Sequence, residues 1–254
     1  MTKNYPTNLT DNQYDTILRI IGDFRKRKHS LRDIFNAILY LLKTGCQWRM
    51  LPSDFPSWNT VHYYFQKWSR EGVFEEINDV LRKCLRRRQG RRSSPSVGVI
   101  DSQSVKTTRS GGEERGIDGG KKIKGRKRHI ITDTQGSLLA VKVHAANTHD
   151  SKSALDVIEQ LRWKFERMRK IYADGGYRGE LVGNVKEQMG YDMEITLRSD
   201  KALEFKPLPK RWVVERSFSW FESFRRLAKD YERTCCASES MIYLAFITLM
   251  LKQL

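Results

Sequence analysis

No apolar run in this chain approaches the roughly 18 residues that a membrane-spanning helix needs. The most apolar stretch, residues 241–251, is too short to cross and reads as a core helix. The opening Met1-Thr2-Lys3-Asn4-Tyr5-Pro6 has no signal-peptide apolar segment, so no membrane partner and a cytoplasmic location are expected. Cysteine is scarce. Cys46, Cys84, Cys235 and Cys236 have no metal-site spacing. The adjacent pair cannot chelate as Cys-x-x-Cys does, and no histidine lies near it. All four read as reduced thiols of a cytosolic protein. Acidic residues are the other deficit: 30 Asp and Glu face 47 Lys and Arg, a net charge of +17. That imbalance points to a polyanionic partner, nucleic acid before an anionic membrane surface. Hydrophobic residues nevertheless make up 39% of the chain, which supports a real core and excludes a wholly disordered basic tail.

A length of 254 residues is long for one ordinary domain and comfortable for two. The first boundary is basic. Between Arg82 and Arg92 seven of eleven residues are Lys or Arg, and Ser93-Ser94-Pro95-Ser96 follows before a Val/Ile strand begins. This divides the chain into a helical domain (1–90), a linker (91–96) and a second domain (97–254). In the first, helices are expected over 11–24, 30–43 with Ser30 as N-cap, 58–71 after a loop carrying Pro52 and Pro56, and 74–88. The second and third resemble a helix-turn-helix, whose third helix puts Val61, Tyr64, Phe65 and Trp68 at core spacing. Asn59, His62, Tyr63 and Lys67 then face outward as candidate DNA contacts. A small helical bundle with a solvated polar face is the alternative.

Beyond the linker the pattern changes to strands at 97–105, 128–132 and 138–144, then a helix at 151–166 that Asp150 can cap. A strand at 170–174, a helix at 179–189, a strand at 192–197 and a helix from about 209 to 228 complete the order. Residues 109–125 are glycine-rich and charged and read as a loop. Three strands, helix, strand, helix, strand, helix is the order of ribonuclease H-like domains, α/β folds with a mixed sheet and flanking helices. In these, the first and fourth strands carry acids side by side and a late helix brings a third.

Asp101, Asp174 and Glu215 fall on those three elements, each directly after an apolar run. A carboxylate so placed is costly to bury unless a cation neutralises it. Oxygen ligands on rigid elements are what two-metal phosphoryl transfer requires. An exposed strand end with a solvated carboxylate would explain Asp101 alone; three acids on the three required elements make that reading less attractive. Asp118, Asp133, Asp150 and the pair Glu113-Glu114 have turn, cap or loop explanations. The last helix also carries a stripe of Arg211, Glu215, Ser219, Glu222 and Arg226, with Glu222 and Arg226 spaced as an ion pair. Lys121-Lys122-Ile123-Lys124-Gly125-Arg126-Lys127-Arg128 holds six cations in eight residues and is expected to hold DNA phosphates, a solvated loop being the alternative.

These segments carry a family resemblance that spans nearly the whole chain. Val99-Ile100-Asp101-Ser102-Gln103-Ser104-Val105-Lys106, Lys124-Gly125-Arg126-Lys127-Arg128-His129, Ala173-Asp174-Gly175-Gly176-Tyr177-Arg178-Gly179 and Arg211-Trp212-Val213-Val214-Glu215-Arg216, running on to Arg225-Arg226-Leu227, resemble bacterial insertion-sequence transposases of the DDE class, group five. The resemblance implies Asp101, Asp174 and Glu215 as catalytic metal ligands for Mg²⁺, with Mn²⁺ as a substitute and two ions in the site. It implies binding of the element's terminal inverted repeats, hydrolysis to free 3′-hydroxyls, and attack of these on target DNA without a covalent protein intermediate. At least two subunits would work together, at the bacterial nucleoid. Lys106, Lys124, Arg126, Lys127, Arg128, Arg178, Arg211, Arg225 and Arg226 join the candidate DNA contacts. Related groups place a tyrosine and a lysine around the glutamate where this chain has Leu208 and Glu222, leaving Arg225, Arg226 or Lys229 to meet phosphate. Two other readings stay open: a ribonuclease H-like nuclease without strand transfer, against which the helical domain speaks, and a non-catalytic DNA-binding regulator, against which the three acids speak.

Overall fold

The computed structural model describes residues 4–196 and 212–254. Four helices come first: α1 (Asp11–Ile21), α2 (Leu31–Thr44), α3 (Trp58–Arg70) and α4 (Val73–Arg88). Their ends follow local chemistry. Thr10 and Gln13 form a reciprocal capping box at α1, and the Ser30 hydroxyl accepts from Asp33 N at 3.0 Å at α2. Both helices stop at a left-handed glycine, Gly22 and Gly45. Ile34, Ile38 and Leu41 of α2, Val61, Phe65 and Trp68 of α3, and Ile77, Leu81 and Leu85 of α4 are buried at the expected three- and four-residue steps. Gly45 to Ser57, with a 3-10 turn at Trp48–Met50, is far longer than the three or four residues of a compact helix-turn-helix turn.

Six strands follow: β1 (Val97–Lys106), β2 (Gly116–Asp118), β3 (Ile123–Asp133), β4 (Leu138–Ala145), β5 (Lys170–Ala173) and β6 (Asp192–Ile195). β1 pairs antiparallel with β3 on one side and parallel with β5 on the other; β6 lies parallel beyond β5. β2 and β4 share the outer edge of β3 end to end. The order β4-β3-β1-β5-β6, three antiparallel strands then two parallel ones, is the ribonuclease H-like sheet. The glycine-rich segment expected to be a loop therefore contains β2 and the start of β3. Gly125 permits this, because a Cβ there would lie 2.0 Å from the Val105 carbonyl oxygen.

Helices cover both faces. α5 (Asp150–Glu159) and α6 (Glu180–Met189) lie over Ile100, Ile131, Ile171 and Ala173. α7 (Trp212–Phe221) and α8 (Cys235–Leu251) lie over Val99, Ile130, Val141 and Tyr172. α8 is apolar on every side and packs against α2, α3, α4 and β4. Its Ile242, Leu244, Phe246 and Ile247 are at most 1% exposed, each contributing about 1.5–3 kcal/mol of burial. The core thus runs across the linker. The ion pair of Arg86 with Asp133 and the bond from Asn78 Nδ2 to Leu138 O (3.1 Å) tie α4 to the sheet.

Two expected helices are shorter. α5 ends at Glu159, and residues 160–169 form turns that bury Leu161, Phe165 and Met168. The last helix, expected from 209 to 228, ends at Phe221 and is followed by a 3-10 turn at Arg225–Leu227; residues 209–211 lie outside the described residues. Phe224 takes extended backbone (φ −117°, ψ 104°) and buries its ring, which a continuing helix would not allow.

Candidate active site

β1 carries Asp101 at a fixed place because its pairing with β5 is in register. Val97, Gly98 and Val99 face Lys170, Ile171 and Tyr172, an offset of 73 (170 − 97). Carried two residues further, past the last pair of the ladder, the same offset would bring Asp101 level with Asp174 (174 − 101 = 73), the residue that follows β5. Alternation along β1 puts Asp101 on the face of Val99, which α7 covers. Asp174 caps the turn Gly175–Tyr177 by accepting from Gly176 N at 2.9 Å, and Asp101 accepts from Ser102 N at 2.7 Å. Glu215 is in the first turn of α7, whose Val214 and Phe218 bury against β1 and β3. Arg216, stacked between the rings of Trp212 and Trp220 at 4.6 and 4.7 Å, donates to Gln135 O at 2.9 Å and fastens α7 to the β3–β4 turn. Among the described residues, no group of three His, Cys, Asp or Glu side chains is already gathered tightly enough to hold a metal ion.

A polar cluster lies beneath the opposite face. Asp150 is not the cap of α5; His149 is, and Asp150 opens the helix with its carboxylate toward the sheet. It accepts from Ser102 Oγ at 3.0 Å and pairs with Lys127 Nζ at 2.9 Å. Burial opposes ionisation of Asp150, but the Lys127 ammonium outweighs it and holds the carboxyl below its ordinary range. His129 is buried beside it with Nε2 3.6 Å from the carboxylate. Burial first, then neighbouring His144, pushes His129 down to about 3. The Tyr177 hydroxyl is buried in the same cluster. Burial and the carboxylates of Asp101, Asp150 and Asp174 raise it well above the ordinary phenol range. In the sequence Asp150 carried only a cap preference, and Tyr177 only its place in the segment 173–179 that resembles the family.

Several expected phosphate contacts are corrected. Arg126 is fully buried, donating to Asp230 at 3.2 Å, Ser238 Oγ at 2.9 Å and the carbonyls of Glu113, Glu232 and Arg233. Arg128, 2% exposed, donates to Leu227 O at 2.8 Å, and burial pushes its guanidinium down to about 10 despite Asp230 and Glu232. Lys127 is held by Asp150 and Thr148 O. Arg226 is buried against Glu232 at 2.7 Å, so the expected pair with Glu222 does not form. In each case β3 or the chain after α7 runs inside the protein, and carboxylates and carbonyls there take the donors that phosphate would need. Lys106, Lys124, Arg178, Arg225 and Lys229 remain exposed. On α3, Asn59 and Tyr63 are exposed, Tyr63 at 62%, while His62 is half-buried against Trp48 and Lys67 is half-buried beside Glu71. Burial, then the Arg226 charge, lowers the His62 pKa. Arg211 and Leu208 lie outside the described residues.

A mixed sheet with one acid on β1, a second directly after β5 and a third on the covering helix defines a ribonuclease H-like protein of the DDE class. The chain belongs to the transposase DDE-domain family, whose model matches residues 92–251, more than half of its length. A second model, of a putative transposase of the IS4/5 family, matches residues 9–78. A putative transposase for insertion sequence element IS402 from Burkholderia cepacia is 34% identical over 117 residues, 43% of this chain; the match spans about half (54%) of that relative. Two solved structures of Mos1 transposase, its strand transfer complex and its paired-end complex with the left transposon end, are 12% identical. They cover 91% of this chain and 79% and 80% of theirs, with TM-scores of 0.28 and 0.27, too low to carry an argument.

Proposed function

We propose that the protein is a DNA transposase that binds the terminal inverted repeats of its insertion sequence, cleaves the strands there and joins them to target DNA. The reading is supported by the β1–β5 register, which continued past Val99 and Tyr172 would bring Asp101 level with Asp174, and by Glu215 in the first turn of α7, the helix packed on β1. Family membership supports it. The donor set fits a hard divalent cation: three carboxylates and neither thiol nor imidazole. Asp101, Asp174 and Glu215 would hold Mg²⁺, with Mn²⁺ as a substitute. When bound, such ions activate an attacking oxygen and stabilise a leaving one in phosphodiester chemistry.

The chain's own residues do the rest. Asp101 would present its oxygens from the middle of β1 and Asp174 from just past the end of β5, with Glu215 supplied by the first turn of α7. Ser102, Asp150 and Lys127 brace the strand from behind. Exposed Lys106, Lys124, Arg178 and Arg225 draw in the DNA backbone. Asn59 and Tyr63 on α3, with His62 and Lys67 at its margin, read the repeat as part of a unit formed by residues 1–90 and joined at 91–96 to the catalytic part. Joining two ends calls for at least two subunits at the nucleoid.

The test pairs cleavage with binding. Asp101→Asn, Asp174→Asn and Glu215→Gln should each abolish Mg²⁺-dependent cleavage and strand transfer while DNA affinity stays within about twofold. Cleavage retained in any one variant removes that residue from the site. Cleavage without strand transfer in the unaltered protein would favour a nuclease.

A further inference from the structure

We propose that Lys106, Arg109, Arg115, Lys122 and Lys124 form a phosphate-binding pocket that grips the DNA backbone a few nucleotides from the reacting phosphodiester. The proposal rests on the DNA-acting reading above. These five cations, with Thr107 and Thr108, line a cavity of about 390 Å³ that has no carboxylate in its wall. All five are exposed, and none is ion-paired among the described residues. Asp118, in the same hairpin, is turned away: it accepts from Ser104 Oγ at 2.5 Å and from the N–H groups of Gly120 and Lys121 at 3.0 Å. Five like charges around one concavity repel one another and leave a site whose natural occupant is an anion. Two guanidiniums, three ammoniums and two hydroxyls supply many donors for phosphate oxygens.

The pocket is built on rigid backbone. Lys106, Gly125 and Gly116 occupy one rung across β1, β3 and β2, so Arg115 and Lys124 flank a rung whose middle and outer members lack side chains. Lys122 sits in the β2–β3 turn with φ +53°, a left-handed conformation rare for lysine, which sends its side chain where an ordinary turn would not. Lys106 also lines a second cleft of about 400 Å³, between β1 and α7, together with Gln103, Phe218, Glu222 and Lys229. That cleft lies between the two elements that carry Asp101 and Glu215. From Asp101 to Lys106 is five residues of β1, roughly 17 Å at about 3.3 Å each. A strand of duplex DNA advances about 3.4 Å per nucleotide, so the gripped phosphate lies on the order of five nucleotides from the cut.

The experiment uses the full chain and random-sequence 30-bp duplex DNA, with affinity measured across salt concentrations. The triple variant R109A/R115A/K122A should weaken binding and flatten the slope of log K against log salt by about two to three, at roughly 0.9 for each phosphate no longer neutralised. A charge-matched control, R162A/R169A/K186A on the far side of the sheet, should leave the slope within about half a unit. Equal flattening by both triples would reduce the pocket to bulk charge, and an unchanged slope in the first triple would refute it outright. If the unaltered protein binds duplex DNA without salt dependence, the functional reading fails instead.

Discussion

Replacing Arg126 separates a buried structural cation from a phosphate contact. In Arg126→Met a side chain of similar length fills the space, but Asp230, 2% exposed, loses its cationic partner. Breaking a buried pair costs about 3–5 kcal/mol. Asp230 keeps Ser238 Oγ at 2.8 Å and Glu232 N at 3.1 Å, which favours the lower end, about 3 kcal/mol. Carbonyls of Glu113, Glu232 and Arg233 also lose a donor, which keeps the cost from falling further. For a protein of this size about 1 kcal/mol shifts the melting temperature by about 2–4 °C, so thermal unfolding followed by circular dichroism should fall by roughly 6–12 °C. The salt slope of DNA binding should not move. The double variant R126M/D230N should recover part of the loss, because the carboxylate that lost its hydrogen-bonded cation is then neutral. Melting unchanged in R126M, with a slope lower by about 0.9, would refute the structural assignment and return Arg126 to the DNA interface.

Acid should destabilise the fold before its carboxylates are protonated. Burial holds His129 and His144 neutral in the folded state, His129 down to about 3, whereas unfolded histidines protonate near 6.5. The unfolded state then binds the extra protons, so stability is complete above about pH 6.5 and declines toward pH 3; a flat melting temperature across that range would contradict it. Gly125→Ala should cost about 2–3 kcal/mol, since its Cβ would meet the Val105 carbonyl backbone at 2.0 Å, and urea unfolding with an unshifted midpoint would show that the strands are not so close. Asn59→Ala and Tyr63→Ala should leave stability within about 0.5 kcal/mol, both side chains being exposed. They should also reduce the preference for terminal-repeat over random duplex; full retention in a competition assay would move sequence reading away from α3.

Periodicity and caps made most of the fold legible. Ser30, Gly45 and the three- and four-residue apolar steps fix α2 to α4 to within a few residues, because capping and burial are local properties of the chain, whereas α1 stops at Gly22, short of the expected residue 24. Strand, helix and turn order also marked Asp101, Asp174 and Glu215 as candidates. Charge was less informative. Six cations in eight residues look alike in sequence, yet Arg126, Lys127 and Arg128 are buried while Lys121, Lys122 and Lys124 are exposed. That difference arises from where β3 enters the sheet between β1 and β4, and from Asp230 and Asp150, which reach it from distant parts of the chain. The sequence by itself determined most of the elements, the apolar faces and the excess of positive charge. Only the tertiary structure decided which cations meet solvent, that Asp150 faces the sheet, and that the core runs on across the basic linker, since each depends on contacts between residues far apart in the chain.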